Sequence, residues 1–174
     1  MAILKIARMG HSVLRAPSQP VSDPTSPEIA RLVEDMIDTL SDSGGVGLAA
    51  PQVHAPLRLV IFKVPAARNE DAEIPLTVLI NPEIEVIDPT PVERVEACLS
   101  IPDMAGTVPR PTSIRYRGVG LDGEQIDVVA SGFHARVVLH EVDHLDGVLY
   151  PMRMSDLSTF GFINELRSAQ EQQS

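Results

Sequence analysis

Apolar residues recur at helical spacing from Ile29 through Leu32, Val33, Met36 and Ile37 to Leu40, giving one continuous stripe that must face a core. Just before it, Ser26-Pro27-Glu28 has the order of a helix start: an N-cap hydroxyl, a proline at the first helical position and an acid favourable to the helix dipole. Ser43-Gly44-Gly45 ends the stripe. The segment Gly45-Val46-Gly47-Leu48-Ala49-Ala50-Pro51-Gln52 is too rich in glycine and small residues for a packed strand and is predicted to be a loop, whereas residues 57–64 are rich in strand formers. Residues 66–72 are polar and read as a surface excursion. Residues 76–80 form another short strand, stopped by Asn81-Pro82. Two further strands, 113–120 and 124–129, flank Leu121-Asp122-Gly123, where Asp-Gly signals a hairpin because a tight turn needs positive backbone angles. Helices are predicted over 132 to about 146 and 156 to about 169. Strands and helices do not alternate regularly and there is no internal repeat. The expected fold is therefore α+β: a single domain over 1–174, with antiparallel β-sheets packed around the 132–146 helix and a C-terminal helix.

Composition narrows the setting without changing the fold. At 174 residues, with 44% hydrophobic and 22% charged side chains, the chain is long enough to bury one sizeable core. Its apolar runs are shorter than a bilayer span, and Met1-Ala2-Ile3-Leu4-Lys5-Ile6 lacks the layout of a secretory signal, so a cytoplasmic location is expected. A net charge of -10 opposes a phosphate backbone, and without a cluster of cations no direct nucleic-acid binding is expected, nor a membrane partner. Cys98 is the only cysteine, which leaves it as a buried thiol, a nucleophile or a metal ligand.

The chemistry lies in His140-Glu141-Val142-Asp143-His144. Histidines four apart share one helix face and can reach one metal, while Glu141 is near enough to handle a proton on its water. In a chain with 5 histidines among 174 residues an accidental match is expected only about 0.01 times. Val137, Val138 and Val142 bury this helix, where two partnerless imidazoles would be costly, so the metal reading is preferred over a pair of surface histidines. An open catalytic site needs a third protein ligand. A histidine at position 150 would place the chain in one protease class, but that residue is Tyr150. Glu165, on the last helix, is the donor that a second protease class would use, and Cys98 in Glu96-Ala97-Cys98-Leu99-Ser100-Ile101-Pro102 is the other candidate.

Taken together, Gly45-Val46-Gly47-Leu48-Ala49-Ala50-Pro51-Gln52, Glu96-Ala97-Cys98-Leu99-Ser100 and His140-Glu141-Val142-Asp143-His144 resemble the three signature motifs of the peptide deformylase family, in the same order and at matching separations. The resemblance runs from the Leu14-Arg15 and Pro20-Val21 region through Tyr150. The stretch from Ala130-Ser131-Gly132 through Ala135-Arg136 resembles the branch that includes mitochondrial and some bacterial second-copy enzymes. One departure stands beside the third ligand: Ala97 occupies a position where the family normally has glycine, and its methyl would crowd a peptide lying along this stretch. An arginine often found in the family near Ala105 is also absent.

The resemblance implies a hydrolase that removes the N-terminal formyl group from formyl-methionyl peptides and releases formate, a step in N-terminal processing during protein biosynthesis. It implies one divalent metal held by Cys98, His140 and His144, ferrous iron in the cell, with Zn2+, Ni2+ or Co2+ as alternatives that the donor set accepts. It gives Glu141 the role of proton carrier, Gln52 and the backbone N–H of Leu99 that of oxyanion donors, and Val46, Gly47 and Ala97 that of substrate-binding residues. The partners it implies are N-formylmethionyl chains leaving the ribosome. Direct ribosome docking gains no support from the tail, where after Asn164 only Arg167 is basic, against Glu165 and Glu171. A non-catalytic peptide-binding or metal-binding module would rest on Ala97 alone.

Overall fold

The computed structural model describes residues 2–69 and 73–171. Helix α1 (Pro27–Ser43) begins and ends as its sequence dictates: the Ser26 hydroxyl accepts from the Ile29 N–H at 3.4 Å, and Gly44 closes the helix in the left-handed region at φ 68°. Strands β1 (Gly47–Ala49), β2 (Leu59–Val64), β3 (Ile74–Cys98), β4 (Ile101–Val119) and β5 (Gln125–Ser131) pair antiparallel in that order, and a two-residue β6 (Gly161–Phe162) adds to β4. Helix α2 (Gly132–Leu145) follows β5 without a break, and α3 (Ile163–Glu171) closes the described chain. No helix of the described residues is long and apolar enough to cross a membrane.

Period-two alternation divides the core between the two faces of the sheet. From β2, Val60, Phe62 and Val64 pack with Ala135, Val138, Val142 and Leu145 of α2, while Leu59 and Ile61 pack with Val33, Met36 and Leu40 of α1. The sheet is thus covered on both sides here, which is why residues 59–62 form an unbroken apolar run before the exposed Lys63. The α+β class, the antiparallel pairing, the central motif-bearing helix and the C-terminal helix agree with the sequence reading.

Three local expectations are corrected. The glycine-rich segment is not loop throughout, because Gly47–Ala49 pairs with Val60–Phe62: at the sheet edge a small residue costs little packing, and the ladder outweighs propensity. Asn81-Pro82 does not stop its strand. The register slips between Ile80 and Glu83, Asn81 adopts φ 51°, and β3 continues to Cys98 with further slips around Asp88 to Pro91, so each proline region coincides with a bulge that tolerates a missing donor. The strands form one six-stranded antiparallel sheet. The last helix starts at Ile163, not at 156: Asp156 caps only a short 3-10 turn, its carboxylate accepting from the Ser158 N–H at 2.8 Å, after which Gly161–Phe162 pairs with Met104–Ala105. The expected hairpin is present as β4–β5, with Gly123 at φ 80° in its turn. Part of the 66–72 excursion lies outside the described residues.

Candidate metal centre

Two elements that meet at one end of the sheet build the site. His140 and His144 lie one turn apart on α2, with ring centroids 5.1 Å apart, and Cys98 arrives at the end of β3, where a two-residue turn, Leu99-Ser100, leads into β4. The Cys98 Sγ is 3.3 Å from His144 Nε2, and one donor atom from each of the three residues lies within 4.8 Å of the others. Glu165, the alternative third donor, is exposed on α3 and is not among these converging groups.

The imidazoles are prepared for coordination by what surrounds them. His140 Nδ1 is 2.8 Å from Glu96 Oε2, so the Nδ1–H donates to the carboxylate and Nε2 is left for the site. Glu96 is fixed in turn by Arg110, whose Nε and second terminal nitrogen donate to its two oxygens at 2.9 and 3.0 Å, and by Arg136 at 2.7 Å. Arg110 also reaches Asp143 at 2.6 Å, and Asp143 receives Arg153 at 2.7 Å. Burial alone would raise the Glu96 carboxyl, but the hydrogen bonds from His140 and Arg110 outweigh it and bring its pKa down to about 2. His140 is also pulled in two directions: burial disfavours its charge, while Cys98 and Glu96 raise its pKa well above the ordinary value. Burial holds His144 well below it, so this ring is neutral, the form a ligand requires. Its Nδ1 is buried and has no hydrogen-bond partner among the described residues.

Glu141 lies against β1. A Cβ on Gly47 would fall inside its carboxyl group, so glycine at 47 is what lets the acid sit this close to the strand. The Glu141 Oε2 is buried with no hydrogen-bond partner among the described residues, and burial pushes its pKa up to about 7. Gln52 is held by the Ala49 N–H, which donates to Oε1 at 2.9 Å; its Nε2 then donates to Ser100 Oγ at 3.1 Å and faces Cys98 Sγ at 3.5 Å.

A cleft of about 460 Å³ opens over these groups. It is lined by Val46, Gly47, Gln52, Ala97, Cys98, Leu99, His140 and Glu141, and His144 is grouped with Cys98 and His140, so of the residues singled out in the sequence for the site only Glu165 stands apart. The donor set suits a divalent metal: two imidazole nitrogens and a sulfur, one ring oriented by a carboxylate and the other held neutral. Sequence reasoning did not assign a role to Glu96, Arg110, Asp143, Arg136 or Tyr150. Glu96 and Asp143 were inside quoted motifs, whereas Arg110 carries no local signal. It lies opposite Val92 in the β3–β4 register and reaches along the ladder to Glu96, a relation that no local pattern encodes. Tyr150 lies nearly parallel to His140, centroids 6.2 Å apart, and backs that ring.

A cysteine at a strand end facing two histidines one turn apart on a helix, with a buried acid between the histidines, defines a class, the metal-dependent hydrolases. Comparison with known proteins places the chain within it. The family model for polypeptide deformylase matches residues 3–160. Peptide deformylase 1 of Nitrosomonas europaea is 48% identical over 166 residues, covering 94% of each chain. The Met-Ala-Ser-bound class I type b peptide deformylase of Acinetobacter baumannii superposes with a TM-score of 0.82 at 36% identity, covering 88% of this chain and 99% of that one. Peptide deformylase from Thermotoga maritima gives 0.81 at 34%, covering 90% and 100%. The chain belongs to the peptide deformylase family.

Proposed function

We propose that residues 1–174 act as one catalytic domain that hydrolyses the N-terminal formyl group of N-formylmethionyl peptides, releasing formate, with Glu141 carrying the proton. The observation that carries this reading is the buried Glu141 carboxyl, whose Oε2 has no hydrogen-bond partner among the described residues and whose pKa is pushed up to about 7, beside the Cys-His-His metal-binding group. An acid at that value can take and return a proton near neutrality, a role typically worth about 10²–10⁴ in rate.

Cys98, His140 and His144 are the proposed ligands of one divalent metal, ferrous iron in the cell. When bound, such an ion supplies Lewis-acid activation of water and polarises the formyl carbonyl. Glu141 accepts the proton of the attacking water and then delivers it to the departing amine nitrogen. Gln52 Nε2 and the Leu99 N–H donate to the oxygen on which negative charge develops, each such donor being worth about 10²–10³ in turnover. Val46, Gly47 and Ala97 bind the peptide backbone in an extended form. The β3 edge at Ala97 supports this, since Ala97 pairs with Ala105 of β4 on one side and lines the cleft on the other. New chains in the cytoplasm are the proposed substrates.

Formate release from formyl-Met-Ala-Ser, with metal analysis, tests the assignment. A chelator is expected to stop release, and Cys98→Ser to strip the metal while Glu165→Ala keeps it. Release that survives chelation, or a metal lost with Glu165 and kept without Cys98, would contradict it.

A further inference from the structure

The cleft does not end at the metal group. A second depression, of about 740 Å³, shares Arg68, Val95, Phe133 and Arg136 with it and extends to Arg94. In a chain of net charge -10 this basin is lined by three arginines, and among the described residues lining it no side chain is acidic. Arg94 and Arg68 are exposed, and the Arg68 guanidinium is held 4.8 Å over the Phe133 ring. Arg136 is buried beneath them, and its positive charge is only partly offset. It shares Glu96 with Arg110, and across the linked network two carboxylates, Glu96 and Asp143, face three guanidiniums, those of Arg110, Arg136 and Arg153. Burial lowers the Arg136 pKa, and Arg110 and Arg94 lower it further by repulsion, against the pull of Glu96. An anion in the basin relieves that repulsion.

The geometry of β3 says where the anion comes from. From Cys98 back to Arg94 the strand runs on through Ala97, Glu96 and Val95, pairing with β4 on one side; pairing with β2 ends at Ile80, which leaves the other edge open along the cleft. A peptide whose formyl end lies at Glu141 and Cys98 and whose backbone follows this edge advances about 3.3 Å per residue, so it reaches Arg94 after about 13 Å, near its third or fourth residue.

Resting on the deformylase reading above, we propose that Arg94 and Arg68 form a downstream subsite that selects a carboxylate at the third or fourth residue of the formyl peptide. Acidic side chains there, or the terminal carboxylate of a short peptide, are bound in preference to neutral or basic groups. The discrimination is electrostatic and solvent-exposed, so it acts mainly on KM and is screened by salt.

The test uses C-terminally amidated formyl-Met tetrapeptides bearing Glu, Gln or Lys at position three or four, with a neutral peptide as free acid and as amide to separate the two carboxylate sources. At low ionic strength kcat/KM for at least one Glu peptide, or for the free acid, is expected to exceed that of its neutral counterpart by about three- to tenfold, with Lys lowest. In the double variant Arg94→Gln, Arg68→Gln, and at about 0.5 M salt, that ratio is expected to fall towards one. Equal rates for Glu, Gln and Lys together with equal rates for acid and amide, or a preference that survives the double substitution, would overturn the subsite while leaving deformylation in place. No formate from any of the peptides would overturn the deformylase reading and the subsite with it.

Discussion

His140 Nδ1 lies 2.8 Å from Glu96 Oε2, and that contact selects which imidazole nitrogen remains for a metal. A neutral amide in place of the carboxylate still fills the space but accepts less strongly and no longer offsets two buried guanidiniums. Glu96→Gln is expected to weaken metal binding by about 10- to 100-fold, read by competition with a chelator. An affinity equal to wild type would show that Glu96 does not orient the ligand.

The same carboxylate makes stability depend on acid. Its folded pKa, about 2, is below the ordinary 4.5, so its contribution is complete above about 4.5 and is lost as pH falls towards 2. That shift corresponds to about 3 kcal/mol at most. Urea unfolding between pH 6 and 2.5 should show the advantage of wild type over Glu96→Gln shrinking through this window. A constant difference would contradict the linkage.

Gly47 and Glu141 are coupled by contact, since any side chain at 47 displaces the carboxyl. Gly47→Ala is therefore expected to lower kcat by about 10²-fold, the usual effect of a misplacement of about 1 Å, while metal content stays at the wild-type level. A wild-type kcat would mean that the carboxyl need not occupy that position.

Asn81 fastens the N-terminal segment to the β3 bulge. Its Oδ1 accepts from the Val21 N–H at 2.8 Å, its Nδ2 donates to the Val21 carbonyl at 2.9 Å, and its backbone is left-handed at φ 51°. Asn81→Ala removes both bonds and keeps the unfavourable angle, so a loss of about 1–3 kcal/mol is expected in thermal or urea unfolding. An unchanged midpoint would contradict this.

These cases also show what local sequence can and cannot carry. The start and end of α1 were legible because Ser26, Pro27 and Gly44 act within one turn of the backbone they cap. The β4–β5 hairpin was legible because Asp122-Gly123 has few alternative conformations. His140, Glu141 and His144 were legible because helical spacing is fixed. By contrast, β3 runs through Pro82, Pro89 and Pro91 only because register slips absorb them, and those slips are decided by the partner strand. The Glu96–Arg110–Asp143 network joins positions 14 and 33 residues apart, a relation set by the long β3–β4 ladder and the return of α2. The 3-10 turn and the β6 pairing that delay α3 likewise depend on contact with β4, which a helical pattern from 156 onward does not reveal.

The most direct test of the account is formate release by Glu141→Gln loaded with one metal per chain, measured beside wild type. The account predicts a turnover lower by about 10²–10⁴ with metal binding retained. Release within a few-fold of wild type, with the metal still bound, would contradict the assignment of Glu141 as the proton carrier.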